Sequence, residues 1–150
     1  MRTEEVYIMA VILVSSCLLG CNCRYKGDGC RNERVLKLKD KHILIPVCPE
    51  QMGGLETPRN PSERVNDRVL SNAGRDVTEQ FRKGAETALF LAQLNRADFA
   101  VFKANSPSCG KGIIYDGTFT GGKKEGNGMT TDLLLEHGIP VYTEDGDWPL

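Results

Sequence analysis

The sequence has almost no excess charge. Its 150 residues carry 19 Lys and Arg against 20 Asp and Glu, a formal net charge of −1. That removes a global pull toward nucleic acid or anionic membrane and leaves room only for a local basic patch. A long apolar run is also missing: the stretch from Ile8 to Leu19 is too short to span a bilayer. It leads into Leu18-Leu19-Gly20-Cys21, which resembles a bacterial lipoprotein cleavage box. The leading Met1-Arg2-Thr3-Glu4-Glu5 lacks the positive character of a secretory leader, however, and cleavage there would discard Cys17 and the first strand. Export is therefore the weaker reading, and a cytoplasmic protein without a membrane partner is expected. Residues 1–8 read as an N-terminal extension, and 9–150 as a single domain long enough for one core. Repeats and low-complexity segments are absent, and the 7 prolines and 16 glycines mostly punctuate loops.

What the chain does have is cysteine. A domain with this much apolar sequence does not need disulfide staples, so its 6 cysteines point toward metal binding or catalysis. Three of them share one local context: each ends an apolar run and opens a turn marked by glycine or proline. Cys17 closes Val11-Ile12-Leu13-Val14-Ser15-Ser16, Cys48 closes Ile43-Leu44-Ile45-Pro46-Val47, and Cys109 follows Ala100-Val101-Phe102 through Ser106-Pro107-Ser108. If the runs are parallel strands, their carboxyl ends bring the three thiols to the edge where open sheets bind ligands. Three thiolates are one short of a closed four-thiolate site, so the metal or cluster they hold keeps an open position. Cys21, Cys23 and Cys30 crowd near Cys17, but the spacings match no standard zinc or ferredoxin run. Cys23 reads as a supporting thiol, and Cys21 and Cys30 as incidental loop thiols. The two histidines, His42 before a strand and His137 at a helix end, read as structural, and Trp148 as packing near the C-terminus.

Periodicity places strands over 9–16, 42–47, 97–102 and 139–143, each a short apolar run. A short helix is expected over 33–39. The clearest helix runs over about 77–95, capped by Asp76 or Thr78 in a capping-box spacing with Glu79, and carries an apolar face of Phe81, Ala85, Ala88, Leu89 and Ala92. Another covers 130–136 and stops at His137-Gly138 in the manner of a glycine cap. Residues 49–75 read as a long irregular loop and 110–128 as a glycine-rich one. Strands alternating with helices predict an α/β fold: a single three-layer domain with a mostly parallel sheet, Rossmann-like.

The ordered motifs Cys17-Leu18-Leu19-Gly20, Cys23-Arg24-Tyr25, Pro46-Val47-Cys48-Pro49-Glu50, Gly53-Gly54-Leu55, Pro58-Arg59, Gly74-Arg75-Asp76-Val77-Thr78, Ser106-Pro107-Ser108-Cys109-Gly110 and Ile114-Tyr115-Asp116-Gly117-Thr118-Phe119 span most of the chain. Together they resemble the bacterial DUF523 family, which includes thiouracil and thiouridine desulfidases of the TudS type. The resemblance implies a [4Fe–4S] cluster held by only three cysteines, here Cys17, Cys48 and Cys109. It also implies a catalytic glutamate, Glu50, and a participating serine, Ser106. The implied reaction removes sulfur from a thiolated pyrimidine without net redox change, the substrate being free thiouracil, thiouridine or thiolated tRNA. Two departures bear on substrate choice. Lys26 stands where the family usually has aspartate, and the stretch from Pro61 to Asn72 is shorter than usual.

The chemistry suits those residues. A thiocarbonyl sulfur is soft and matches thiolate-bound iron, which as a Lewis acid opens the ring carbon to water. Glu50, two residues past Cys48, is placed to act as general base. Ser106 and Ser108 offer hydroxyls to water or pyrimidine, and Arg24, Tyr25 and Lys111 are candidate substrate-binding residues. The backbone N–H groups of Gly110, Lys111 and Gly112 form a possible nest. Arg24, Lys26, Arg31 and Arg34, with Lys111, Lys123 and Lys124, are either a solvated face or a grip on phosphate. Two rival readings remain: a non-catalytic iron–sulfur carrier or redox module, and a structural zinc domain using Cys17, Cys21 and Cys23.

Overall fold

The computed structural model describes residues 9–150; the expected extension, 1–8, lies outside the described residues. The apolar runs form the sheet. Strands β1 (Val11–Ser15), β2 (Ile43–Val47), β5 (Phe99–Phe102) and β8 (Val141–Thr143) lie in the order β2-β1-β5-β8. All three pairings are parallel, Leu13 facing Ile45 on one side and Ala100 on the other. The central strands β1 and β5 are buried on both faces, which explains why they are apolar at every position but Ser15. Pro46, which has no N–H for a ladder, falls on the edge strand β2.

Alternation along the strands splits the core into two layers of contacts. Leu13, Val47, Ala100, Phe102 and Val141 pack against Ala88, Ala92 and Leu134. These last three come from helices α3 (Thr78–Leu94) and α4 (Met129–Glu136). Ile12, Val14, Phe99 and Val101 face the other way, against Leu18, Val35 and Trp148. Val35 belongs to α1 (Glu33–Leu36), which continues as a 3-10 turn over Lys37–Asp40. Helices therefore flank a parallel sheet on both faces, the expected α/β architecture. The Asp76 expectation holds in part. Asp76 Oδ1 accepts the Thr78 N–H at 2.9 Å, but Glu79 pairs with Arg82 instead of reaching back to complete a capping box. The helix after it ends as expected, Gly138 taking φ +78° beyond His137.

Both expected loops contain more structure. Residues 49–75 hold α2 (Pro49–Met52) and an antiparallel hairpin of β3 (Ser62–Val65) and β4 (Arg68–Ser71). Residues 110–128 hold a second hairpin, β6 (Ile113–Tyr115) with β7 (Lys123–Glu125).

One packing detail fixes the segment after Cys48. Helix α2 lies against α3 so closely that a Cβ on Gly84 would collide with the Pro49 carbonyl, and one on Gly53 with the Gln80 carbonyl. Gly84→Ala is therefore expected to destabilise the protein by about 1–3 kcal/mol, because backbone must move to admit the methyl. Chemical denaturation measures the loss.

Candidate active site

The sheet order reverses at β1. The chain passes from β1 to β2 on one side, then crosses through α3 to β5 on the other. In open α/β sheets the crevice at such a reversal, outside the carboxyl ends of the strands, is where ligands bind. Cys17 follows β1, Cys48 follows β2 and Cys109 follows β5, so the three thiols sit beyond three adjacent strand ends. All three line one cavity of about 400 Å³.

Each thiol has its own support. Cys17 lies in a 3-10 turn closed by Gly20, and its carbonyl accepts the N–H groups of Gly20 and Cys30. Cys48 immediately precedes α2, held by the Gly84 contact. Cys109 is gripped by the first turn of α4, whose N–H groups lack intrahelical partners. Met129 N–H donates to the Pro107 carbonyl, Thr130 N–H to that of Ser108, and the Thr131 hydroxyl to that of Cys109.

The same cavity receives Glu50, Ser106, Ser108, Arg24 and Tyr25. Glu50 is oriented at both oxygens. Oε1 accepts from Arg59 Nε at 3.0 Å and Oε2 from the Ser108 hydroxyl at 3.2 Å. Arg59 and Glu50 side chains are only 7% and 17% exposed. The guanidinium also donates to the Cys23 carbonyl and the Thr57 hydroxyl, each at 3.0 Å. It thus ties the Glu50 carboxylate to the loop after Cys17. Ser106 Oγ accepts the N–H groups of Ser108 and Cys109 and lies 3.0 Å from Ser108 Oγ. The Ser108 hydroxyl reaches both Glu50 Oε2 at 3.2 Å and the Cys109 sulfur at 3.5 Å; with its proton on Glu50 it accepts from Ser106. Ser106, Ser108 and the carboxylate thus form one hydrogen-bonded chain.

Arg59 is the residue that sequence reasoning missed; its only signal was its place in the Pro58-Arg59 motif. Lys111 departs from expectation in the other direction. It does not line the cavity, and its ammonium reaches the Val141 carbonyl. Nor is the expected nest available whole: Gly110 N–H goes to the Ser106 carbonyl and Gly112 N–H to Asn127 Oδ1. Among the other cysteines, Cys23 is buried and lines the cavity, whereas Cys21 is exposed and Cys30 half-buried outside it. Lys26 is exposed and approaches the Tyr25 ring, on which Arg24 also lies. His42 accepts the Ala10 N–H, and Trp148 packs under Arg34.

The donor set fits an iron–sulfur group: Cys17, Cys48 and Cys109 are soft, unpaired thiols and border one shared space, as separate irons of a polynuclear group require. Burial pushes Cys109 up to about 12, and the neighbouring Cys17 thiol pushes Cys23 up to about 11. Cys48 is driven above the usual thiol range by Cys23 and by burial. Thiols so crowded surrender their protons when a cation binds.

Comparison with known proteins bears on the fold and the family. A solved structure described as a [4Fe–4S]-dependent thiouracil desulfidase, TudS, superposes with a TM-score of 0.84 at 44% identity, covering 91% of each chain. The uncharacterized protein YbbK of Bacillus subtilis (strain 168) is 41% identical over 145 residues, 90% of this chain and 96% of its own. The family model for 2-thiouracil desulfurase matches residues 12–146. With nearly the whole chain matched, this protein belongs to the 2-thiouracil desulfurase family.

Proposed function

We propose that this protein is a desulfidase that hydrolyses the thiocarbonyl of a thiolated uracil to a carbonyl and releases hydrosulfide. The observation that carries this reading is the Glu50 carboxylate, half-buried, oriented at both oxygens, and sharing one cavity with three thiols. Cys17, Cys48 and Cys109 would hold a [4Fe–4S] cluster. When bound, that group supplies a Lewis-acidic iron with an open position suited to soft sulfur.

The chain's own residues do the proton work. Arg59 fixes Oε1 of Glu50, so Oε2 is the oxygen that takes a proton from the attacking water. Ser108 and Ser106 keep that oxygen linked to the cavity wall and align the water. As the carbon–sulfur bond breaks, Glu50 returns that proton to the departing sulfur and the new hydroxyl loses its own to solvent, so that hydrosulfide leaves and a carbonyl remains. One water is consumed, no electrons are transferred, and the base leaves with oxygen in place of sulfur. Tyr25, with Arg24 against its ring, offers a face for the pyrimidine. A carrier would need no aligned carboxylate beside its cluster, which argues against the redox-module reading. The chain would work in the cytoplasm, where six free thiols stay reduced; no described helix is long and apolar enough to cross a membrane.

The test is an anaerobic assay of the reconstituted protein with thiouracil, thiouridine and thiolated tRNA, following sulfide release. Release from at least one substrate, with its oxo product, is expected. No release from any of them overturns the reading.

A further inference from the structure

The hairpin within the expected long loop brings one more carboxylate to the cavity. Glu63, on β3, lines it while being only 9% exposed. Its Oε1 accepts two backbone N–H groups, from Gly117 at 2.9 Å and from Phe119 at 3.1 Å. That pair holds the turn after β6 against β3. Gly117 takes φ +94° there, and a Cβ on it would strike Val65 at 2.8 Å. Phe119, also at the cavity, is held at φ +58°, a conformation that bulky residues rarely adopt. Holding the turn needs only Oε1.

Oε2 has no hydrogen-bond partner among the described residues. It is also not a sealed atom, because the only buried side-chain polar atom left unpaired among them is Thr130 Oγ1. A carboxylate oxygen that is neither paired nor sealed faces open space, and the open space beside Glu63 is the cavity.

Resting on the desulfidase reading for its substrate, we infer that Glu63 is a specificity-determining residue: its free oxygen accepts a ring N–H of the pyrimidine, while its other oxygen fixes the Phe119 turn as the adjoining wall. A uracil-type ring presents N–H donors beside its carbonyl or thiocarbonyl groups, and an acceptor-only carboxylate matches a donor and rejects a ring atom that lacks one. Glu63→Gln separates the two roles. The amide oxygen can still accept from Gly117 and Phe119, which orients the amide N–H₂ into the cavity, where it meets the ring N–H donor to donor.

The experiment is anaerobic calorimetry of the holoenzyme with uracil, N1-methyluracil and N3-methyluracil. The parent should bind one of the two methylated bases about ten- to a hundredfold more weakly than uracil, the scale of one hydrogen bond to a charged group. Sensitivity at N1 would restrict the enzyme to free bases; sensitivity at N3 would admit nucleosides. In Glu63→Gln, uracil itself should weaken by about that factor and the methylated base should no longer differ from it. Thermal melting should stay near the parent's. The inference is overturned if the variant binds uracil like the parent, if it keeps the parent's discrimination, or if the parent does not bind uracil. Should the variant fail to fold, equal affinity of the parent for all three bases overturns it. A parent that binds selectively but releases no sulfide removes the desulfidase reading and leaves this one. Sulfide release with binding indifferent to Glu63 removes this one alone.

Discussion

Alanine at Cys17, Cys48 or Cys109, each alone, should yield a colourless protein. Purified without oxygen, the parent is expected to be brown and to contain about four irons and four sulfides per chain. Each variant should fall close to zero in both, because two thiolates leave two of the four irons, half the cluster, without a protein ligand. The loss should not come from unfolding. Cys17 and Cys109 are buried, but alanine creates only a small cavity at either place, and far-ultraviolet circular dichroism should stay unchanged. Cys21→Ala and Cys30→Ala are the controls and should keep parental iron, since neither thiol lines the cavity. Cys23→Ala is the discriminating case. Its thiol lies against both Cys17 and Cys48, so a four-cysteine site would have to recruit it. Parental iron in Cys23→Ala supports three ligands; loss equal to that of Cys48→Ala would show that the three-ligand assignment is wrong.

The parts of this fold that were legible in the sequence are those in which burial dictates residue type. Strands β1 and β5 are apolar at every position that the sheet encloses except Ser15, and α3 repeats its apolar face with helical period, so both stand out. The convergence of three thiols follows from the same runs, because strand ends in a parallel sheet share one edge. The hairpins did not stand out. Strand β3 reads Ser-Glu-Arg-Val, and its buried position is Glu63, a carboxylate where an alternating pattern would show an apolar residue. Strand β7 reads Lys-Lys-Glu and is exposed throughout, so nothing in it signals a sheet. The local cue was Asn66-Asp67, a two-residue turn in which Asn66 takes φ +57°. Arg59 was hidden for a related reason. Arginine usually marks a surface, and only the folded chain reveals that carbonyls at Cys23 and Glu56 surround this one. Lys111 erred the opposite way: proximity to Cys109 in sequence suggested the cavity, but the chain turns outward into β6 and carries the ammonium to Val141.

Glu50→Gln should keep the cluster and lose the reaction. The amide can still accept from Arg59 through its oxygen, so the loop geometry survives, and iron content should match the parent. What disappears is the basic oxygen beside Ser108. Loss of a general base typically costs about 10²–10⁴-fold in rate, and that range is expected for sulfide release in a single anaerobic turnover. Binding of the uracil product should change little, which places the defect in the chemical step. Arg59→Lys offers a second measurement of the same arrangement. Lysine carries the charge but cannot donate at once to Glu50, Cys23 and Thr57, as the guanidinium does. Its kcat should fall by a smaller factor with KM nearly unchanged, because the carboxylate is present but no longer held. Ser108→Ala should fall between the two, since it cuts the hydroxyl chain while leaving the Arg59 contact intact. A Glu50→Gln protein with full iron and parental turnover would remove Glu50 from the mechanism. The proton would then need another acceptor, and the remaining carboxylate bordering the cavity is Glu63.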